Sequence, residues 1–309
     1  MTLPAVESDS VLACAAAPVT EAVPASAPVA VTDLGPLEAS GLEQMALDGR
    51  LLDGIEPTGD GAAGVAVRRY TWTPAAVSLG KFQRFAAGAT AALTAAGLDV
   101  VRRPSGGRLV LHGAGFEWSF AVALPAGLLP YGTHAAYRLV AGAMAAALDA
   151  MGWTPDAAGR TVDDGIAGSR QAAGRREPYT RSALCFATVL RHDLLLDGRK
   201  AVAVAQARRG DRLLVHGSVL ERRPPAELVA AVEGAVGEPW RGEGLARSGG
   251  GGGQVPDRET LWRSFLARLG ASLAAADADA AASRRDQPGQ DRSGREQTNE
   301  TSATNEETT

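Results

Sequence analysis

The 309-residue sequence predicts an α+β fold, a mixed β-sheet flanked by helices, on three observations. Segments with apolar residues at helical spacing alternate along the chain with short apolar, β-branched runs. Neighbouring strand-like runs are joined by tight hairpin signals, Asp197-Gly198 and Gly210-Asp211, which a doubly wound parallel sheet does not use. The two ends of the chain have compositions that cannot build a core, so one sizeable domain lies between them.

Residues 1–34 read as a disordered Ala/Pro-rich leader, with Pro4, Pro18, Pro24 and Pro28 interrupting any helix. The main domain then spans 35–245. Ser40 and Glu43 have capping-box spacing before a helix at 41–53. Strands follow at Val65 to Trp72 and Ala76 to Leu79, then a short helix at 89–96 ended by Gly97. Leu98 to Arg103, residues 107–112 and residues 116–123 read as three strands around a Gly-Gly turn. A long helix is expected at 133–151, an irregular connection from Gly152 to about Ser182, and strands at 186–196, 201–207 and 212–220. A helix at 225–236, a Gly-rich linker at 246–256, a C-terminal helix at 257–282 and a disordered tail at 283–309 complete the chain.

The formal net charge of −4 offers no bulk attraction to nucleic acid. No apolar run approaches the roughly 20 residues needed to span a bilayer, so no membrane partner is expected. Two cysteines, Cys14 and Cys185, make no disulfide framework, which fits a cytoplasmic protein with reduced thiols.

The stretch Arg102-Arg103-Pro104-Ser105-Gly106-Gly107-Arg108-Leu109-Val110-Leu111-His112 reads as a binding loop. Its glycines admit close backbone approach, and its arginines suit a carboxylate or phosphate. Elsewhere, Cys185 with Lys200 pairs a thiol with a cation that would stabilise its thiolate. The bland alternative is an inert buried thiol beside a solvated hairpin lysine. A Cys185–His192 pair is disfavoured because a strand at 186–196 would turn the two side chains to opposite faces; His216 stays open. The four histidines, His112, His134, His192 and His216, lack chelating spacing, so no metal is expected. The turn also lacks the glycine fingerprint and the Gly-Lys-Ser/Thr ending of nucleotide loops.

Taken as a set, these residues resemble the lipoate–protein ligase and octanoyltransferase family. The turn matches its Arg-Arg-x-Ser/Thr-Gly-Gly-x-Ala-Val-x-His motif, and Met45-Ala46-Leu47-Asp48 its early helix. Trp72, Pro74 and Val77-Ser78-Leu79-Gly80-Lys81-Phe82-Gln83 match its next strand pair. Gly198 to Gln206 and Val215 to Leu220 match its Gly-x-Lys and His-Gly-Ser blocks. The resemblance implies a fold like the catalytic domains of biotin and lipoate ligases over 35–245, and Cys185-Phe186 points to the thiol-using octanoyltransferase branch.

In that branch Cys185 would be the acyl-thioester nucleophile, and Lys200 would contact the acyl carbonyl and assist proton transfer. Arg103, Ser105, Gly106, Gly107 and His112 would line the acyl site, with Trp72, Gln206, His216 and Gly217 nearby. The implied donor is acyl carrier protein or an acylated lipoyl domain, the acceptor a lysine of a lipoyl domain, and no cofactor is required. The alternatives are an ATP-dependent lipoate ligase and a non-catalytic acyl-binding protein. The chain departs from the family pattern at Ala203 and Val204 (Gly-Ser in the family) and at Leu109 (Ala). The added volume suggests a shorter or different acyl chain. Little foldable sequence is expected after Leu220, which favours transfer over ATP-dependent activation.

Overall fold

A computed structural model describes residues 29–54, 64–129, 134–156, 182–190, 192–247 and 254–285, and within them the strands form two sheets. Most of the expected leader, the centre of the irregular connection, the glycine run 249–253 and most of the tail lie outside the described residues.

The six-stranded sheet has the order β1-β2-β6-β9-β8-β7: β1 (Val31–Ala39), β2 (Val65–Trp72), β6 (Glu117–Pro125), β9 (Arg212–Leu220), β8 (Arg199–Arg209) and β7 (Leu194–Leu196). Only β1 and β2 run parallel; the other neighbours are antiparallel. The three-stranded sheet places β3 (Ala76–Leu79) between β4 (Asp99–Arg102), which it parallels, and β5 (Val110–His112), which it opposes. Parallel and antiparallel pairs coexist, as the mixed-sheet expectation requires.

The helices form where the local sequence calls for them. Helix α1 (Gly41–Leu52) starts at Ser40, whose hydroxyl accepts from the Glu43 N–H while the Glu43 carboxylate takes the Ser40 N–H, a complete capping box. Helix α2 spans Ala87–Ala95, α3 Ala135–Asp149, α4 Ala226–Val236 and α5 Arg258–Arg285. Between β7 and β8, Asp197 (φ 50°) and Gly198 (φ 72°) both lie in the left-handed region, as a two-residue hairpin of the mirror-image type requires.

Period-two alternation divides the core. Trp118, Phe120, Val122 and Leu124 of β6 face α3 and α5, where Met144, Leu148, Trp262 and Phe265 are buried against them. Glu117 and Ser119, between those apolar residues, face the other side of the sheet. There α1 and the small sheet pack, with α2 and α4 outside.

Three expectations need correction. Val31 to Leu34, assigned to the leader, belong to β1. The run 186–196 is not a strand: Cys185–Ala187 form a single 3-10 turn, and only Leu194–Leu196 pair with β8. The C-terminal helix, set apart by a linker and expected to end at residue 282, runs to Arg285, and its Leu261, Trp262, Phe265, Leu269 and Leu273 are buried in the main core. Foldable sequence therefore continues well past Leu220.

Candidate active site

A cavity of about 220 Å³ opens over the polar face of β6, β9 and β8. Nine of the eleven residues singled out from the sequence line it: Trp72, Arg103, Gly106, Gly107, His112, Cys185, Gln206, His216 and Gly217. Lys200 and Ser105 stand behind its wall, hydrogen-bonded to groups that form it. The sequence placed these residues far apart; the sheet brings them together.

Backbone pairing positions Cys185. Its N–H donates to the Leu109 carbonyl (2.8 Å), and the Leu109 N–H donates to Ala183 (2.9 Å), so the cysteine segment runs parallel beside the strand that follows the turn. Glu238, just past α4, accepts from the Ser182 hydroxyl (2.6 Å) and the Ala183 N–H (2.9 Å) and anchors the segment's start.

Lys200 is buried, which excludes the solvated hairpin lysine. Its Nζ donates to the Cys185 carbonyl (2.7 Å), lies 3.6 Å from Cys185 Sγ and pairs with Asp193 (2.7 Å). Burial pushes the lysine down, but Cys185 and Asp193 outweigh it, and its pKa lies above the ordinary lysine value. Burial raises Asp193 above the ordinary carboxylate value, against the pull of Lys200. Across the pair the two shifts pull opposite ways; the lysine's own raised pKa is the one that bears on its charge, and it makes Lys200 an ammonium at neutral pH, a positive charge beside Cys185.

Asp193 also accepts the N–H groups of Leu190 (2.6 Å) and Val204 (3.3 Å), and Tyr137 accepts the N–H of Gln206 (2.9 Å). These two side chains occupy the edge of β8 that β7 is too short to cover.

The two arginines of the turn do something other than expected. Arg102 donates to the carbonyls of Gly80, Lys81 and Gln83, and Arg103 to those of Ser78, Gly106 and Arg108. These donors, Nη1 of Arg102 and both Nη groups of Arg103, hold main chain in place. The turn also presses against β3: a Cβ on Gly80 would lie 2.1 Å from the Gly107 carbonyl oxygen, and Gly107 has φ 105°. Only glycine serves at either place.

A directed chain of hydrogen bonds orients His112. Arg103 donates to Ser78 Oγ (2.7 Å), so the Ser78 hydroxyl donates to His112 Nε2 (2.6 Å), and His112 Nδ1–H faces Glu117 (3.1 Å). Ser119 (2.6 Å) and Ser218 (2.8 Å) donate to the same Glu117 oxygen, and Trp72 Nε1 donates to Ser119 (3.0 Å) while its ring stacks on His112. Burial lowers the His112 pKa, with Glu117 opposing, so the imidazole is neutral near pH 7.

Leu109 does not touch the cavity; its side chain packs into the core beneath the small sheet, and Val110 lines the wall instead. Ala203 and Val204 do border the space. His192, whose exclusion rested on a strand, lies beside His134 (3.1 Å) and stacks on Tyr137. The sequence reading gave no role to Asp48, Ser78, Glu117, Ser119 or Asp193. For the last four the signal was a polar residue at alternate positions inside an apolar strand, as in Phe116-Glu117-Trp118-Ser119-Phe120, or at its edge, as in Asp193 before three leucines.

The sequence profile of the lipoyl protein ligase A/B catalytic domain matches residues 40–235. The chain belongs to this family. Similar curated proteins include the octanoyltransferase LipM of Symbiobacterium thermophilum, 33% identical over 58% of this chain and 61% of the relative. That of Kyrpidia tusciae is 32% identical over 54% of this chain and 58% of the relative. The chain thus spans about 60% of the length of the curated relatives it matches.

Among solved structures, a bi-partite lipoate protein ligase with its E2 lipoyl domain from Thermoplasma acidophilum shares the fold at 16% identity and TM-score 0.52, over 79% of this chain and 84% of that one. LipL1 of P. falciparum in complex with lipoate does so at 12% identity and TM-score 0.52, over 79% of this chain and 62% of that one.

Proposed function

We propose that the protein is an octanoyltransferase of protein lipoylation. It takes an acyl group from a carrier-protein thioester, or from an acylated lipoyl domain, onto Cys185 and passes it to a lysine of a lipoyl acceptor domain. The observation that carries this reading is the Cys185 thiol at the wall of the cavity with the Lys200 ammonium 3.6 Å behind it. The relatives named octanoyltransferase support the acyl chemistry.

In the first half-reaction the Cys185 thiolate attacks the donor carbonyl, the new C–S bond forms, and the bond to the carrier sulfur breaks. The carrier leaves as a thiolate that takes a proton. Lys200, held charged by Asp193, stabilises the Cys185 thiolate and is placed as the acid. In the second half-reaction the acceptor amine attacks the enzyme thioester, the amide bond forms as the C–S bond to Cys185 breaks, and the proton the amine loses returns to Lys200, so that the Cys185 thiolate and the Lys200 ammonium are both restored. Main-chain groups of Gly106 and Gly107 border the space where the acyl carbonyl would sit. Among the described residues no helix is long and apolar enough to cross a membrane, and the reduced thiol this chemistry needs suits the cytoplasm.

Intact-protein mass spectrometry after incubation with octanoyl-acyl carrier protein tests the reading. One octanoyl group should appear on Cys185 and be absent from Cys185→Ala. Modification that persists in Cys185→Ala, or none in the native protein with any acyl donor, would sink it.

A further inference from the structure

Four buried side chains from four different elements form a second hydrogen-bonded line that the transfer chemistry above does not use. Arg68 on β2 donates from Nε (3.1 Å) and Nη2 (2.5 Å) to one oxygen of Asp48 on α1. The other Asp48 oxygen faces Nδ1 of His216 on β9 at 2.7 Å and accepts from the Tyr70 hydroxyl at 3.3 Å. His216 Nε2 lies 2.6 Å from the hydroxyl of Ser105, the residue before the glycine pair.

The distances are those of a serine–histidine–aspartate nucleophile system, but the exposure is not. Ser105 is 1% exposed and does not border the cavity, so no substrate carbonyl reaches its oxygen. What borders the cavity is the next two residues, Gly106 and Gly107. Neither has a side chain to pack, and φ 105° at Gly107 is open only to glycine. The turn must therefore be fixed from outside. Arg103 grips its carbonyls at Gly106 and Arg108, and Ser105 ties its start to the sheet. We propose that Asp48 and His216 are positioning residues that act through Ser105 to hold the Gly106–Gly107 wall where the acyl carbonyl is received; the proposal rests on the acyl-transfer reading.

The proton arrangement follows from the charges. Burial raises the Asp48 pKa, but Arg68 and His216 outweigh it and the group lies below its ordinary value, so the carboxylate is ionised. It accepts a hydrogen bond from Nδ1–H of the neutral His216 imidazole, whose Nε2 then accepts from the Ser105 hydroxyl. Removing the Asp48 charge loosens the imidazole from α1 and frees the other tautomer, in which Nε2–H donates to Ser105 Oγ and the serine hydroxyl turns away to the Gly106 carbonyl (3.4 Å).

The test combines two readouts on Asp48→Asn, Ser105→Ala and the double variant. The first is hydrogen exchange of the Lys81 amide, which donates to the Ser105 carbonyl (2.7 Å), with the Val232 amide in α4 as the control for intact folding. Lys81 should exchange about tenfold faster or more in each single variant while Val232 keeps its protection. The second is the rate of Cys185 acylation. Each single variant should lose about 100-fold in kcat with little change in KM, the scale of a misplaced reacting group. The double variant should lose no more than the worse single, because both changes break one line. Ser105→Thr, which keeps the hydroxyl, should recover most of the rate. Unchanged Lys81 exchange overturns the proposal, and so do losses that multiply in the double variant to about 10,000-fold. A native protein that exchanges as expected but never acylates Cys185 sinks the acyl reading and with it the role in receiving a carbonyl, while the tether itself stands.

Discussion

His112 shows how one buried residue links the site to the stability of the molecule. Burial holds its folded pKa below the ordinary imidazole value of about 6.5. Between that value and the lower folded one, the unfolded chain binds a proton that the native protein does not, so stability falls as pH falls through this window. Thermal unfolding followed from pH 8 down should show a loss beginning near pH 6.5 that is smaller in His112→Gln. Reading that residue from sequence gave its place in the site but not its partners. The motif singled out Arg103 and His112, which both border the cavity, yet the arginines suggested an anion, because a guanidinium that binds carbonyls and one that binds a carboxylate have the same letters around them. Of the two partners that decide the His112 tautomer, Ser78 becomes a neighbour only through β3–β5 pairing, and Glu117 meets it from across the turn at 113–115 between β5 and β6.

At the scale of elements, β9 passes beneath the cavity without a side chain at one place. A Cβ on Gly217 would lie 2.5 Å from Phe120 Cζ and 2.8 Å from the Ala203 carbonyl oxygen. Gly217→Ala should therefore destabilise by about 1–3 kcal/mol, the usual cost of overpacking, read from denaturant midpoints at unchanged slope. The strands on either side were legible because β8 and β9 meet at strong turn signals. The segment 186–196 was not, and the reason is local. Thr188 directs its N–H (3.2 Å) and its hydroxyl (3.1 Å) to the Cys185 carbonyl, and Asp193 takes the Leu190 N–H. Such side-chain bonds compete with a ladder, and a run of apolar and β-branched residues does not reveal them. Leu109 was misjudged for a similar reason: its strand was identified, but one residue of register decides whether Leu109 or Val110 meets the cavity.

For the whole molecule, α5 is the cover of the larger core and not an appendage. Trp262 is 1% exposed, packs edge-on against Trp118 and donates Nε1 to Asp33 on β1 (2.9 Å), while Arg258 pairs with Glu221 (2.8 Å). Trp262→Ala should cost about 3–5 kcal/mol, measured by chemical unfolding, and should lower acylation only as far as folded protein is lost. The helix was read from its apolar spacing; its attachment was hidden by the glycine run before it. On the opposite side, the first four residues of β1 were assigned to the leader on its Ala/Pro-rich composition; the strand also carries Gly35 and Pro36, which an edge strand tolerates, and its register shifts between Asp33 and Pro36.

That irregular β1 and the covered margin of β8 have a shared consequence. Open sheet margins are templates on which other chains assemble, and in the six-stranded sheet the β1 margin and the part of β8 beyond β7 are blunted by different means. Proline and a register slip spoil one; at the other, Asp193 and Tyr137 occupy the N–H groups of Val204 and Gln206. One carboxylate, Asp193, thus serves sheet and site together: it takes up a strand N–H that would otherwise stand open and pairs with Lys200 behind the cavity.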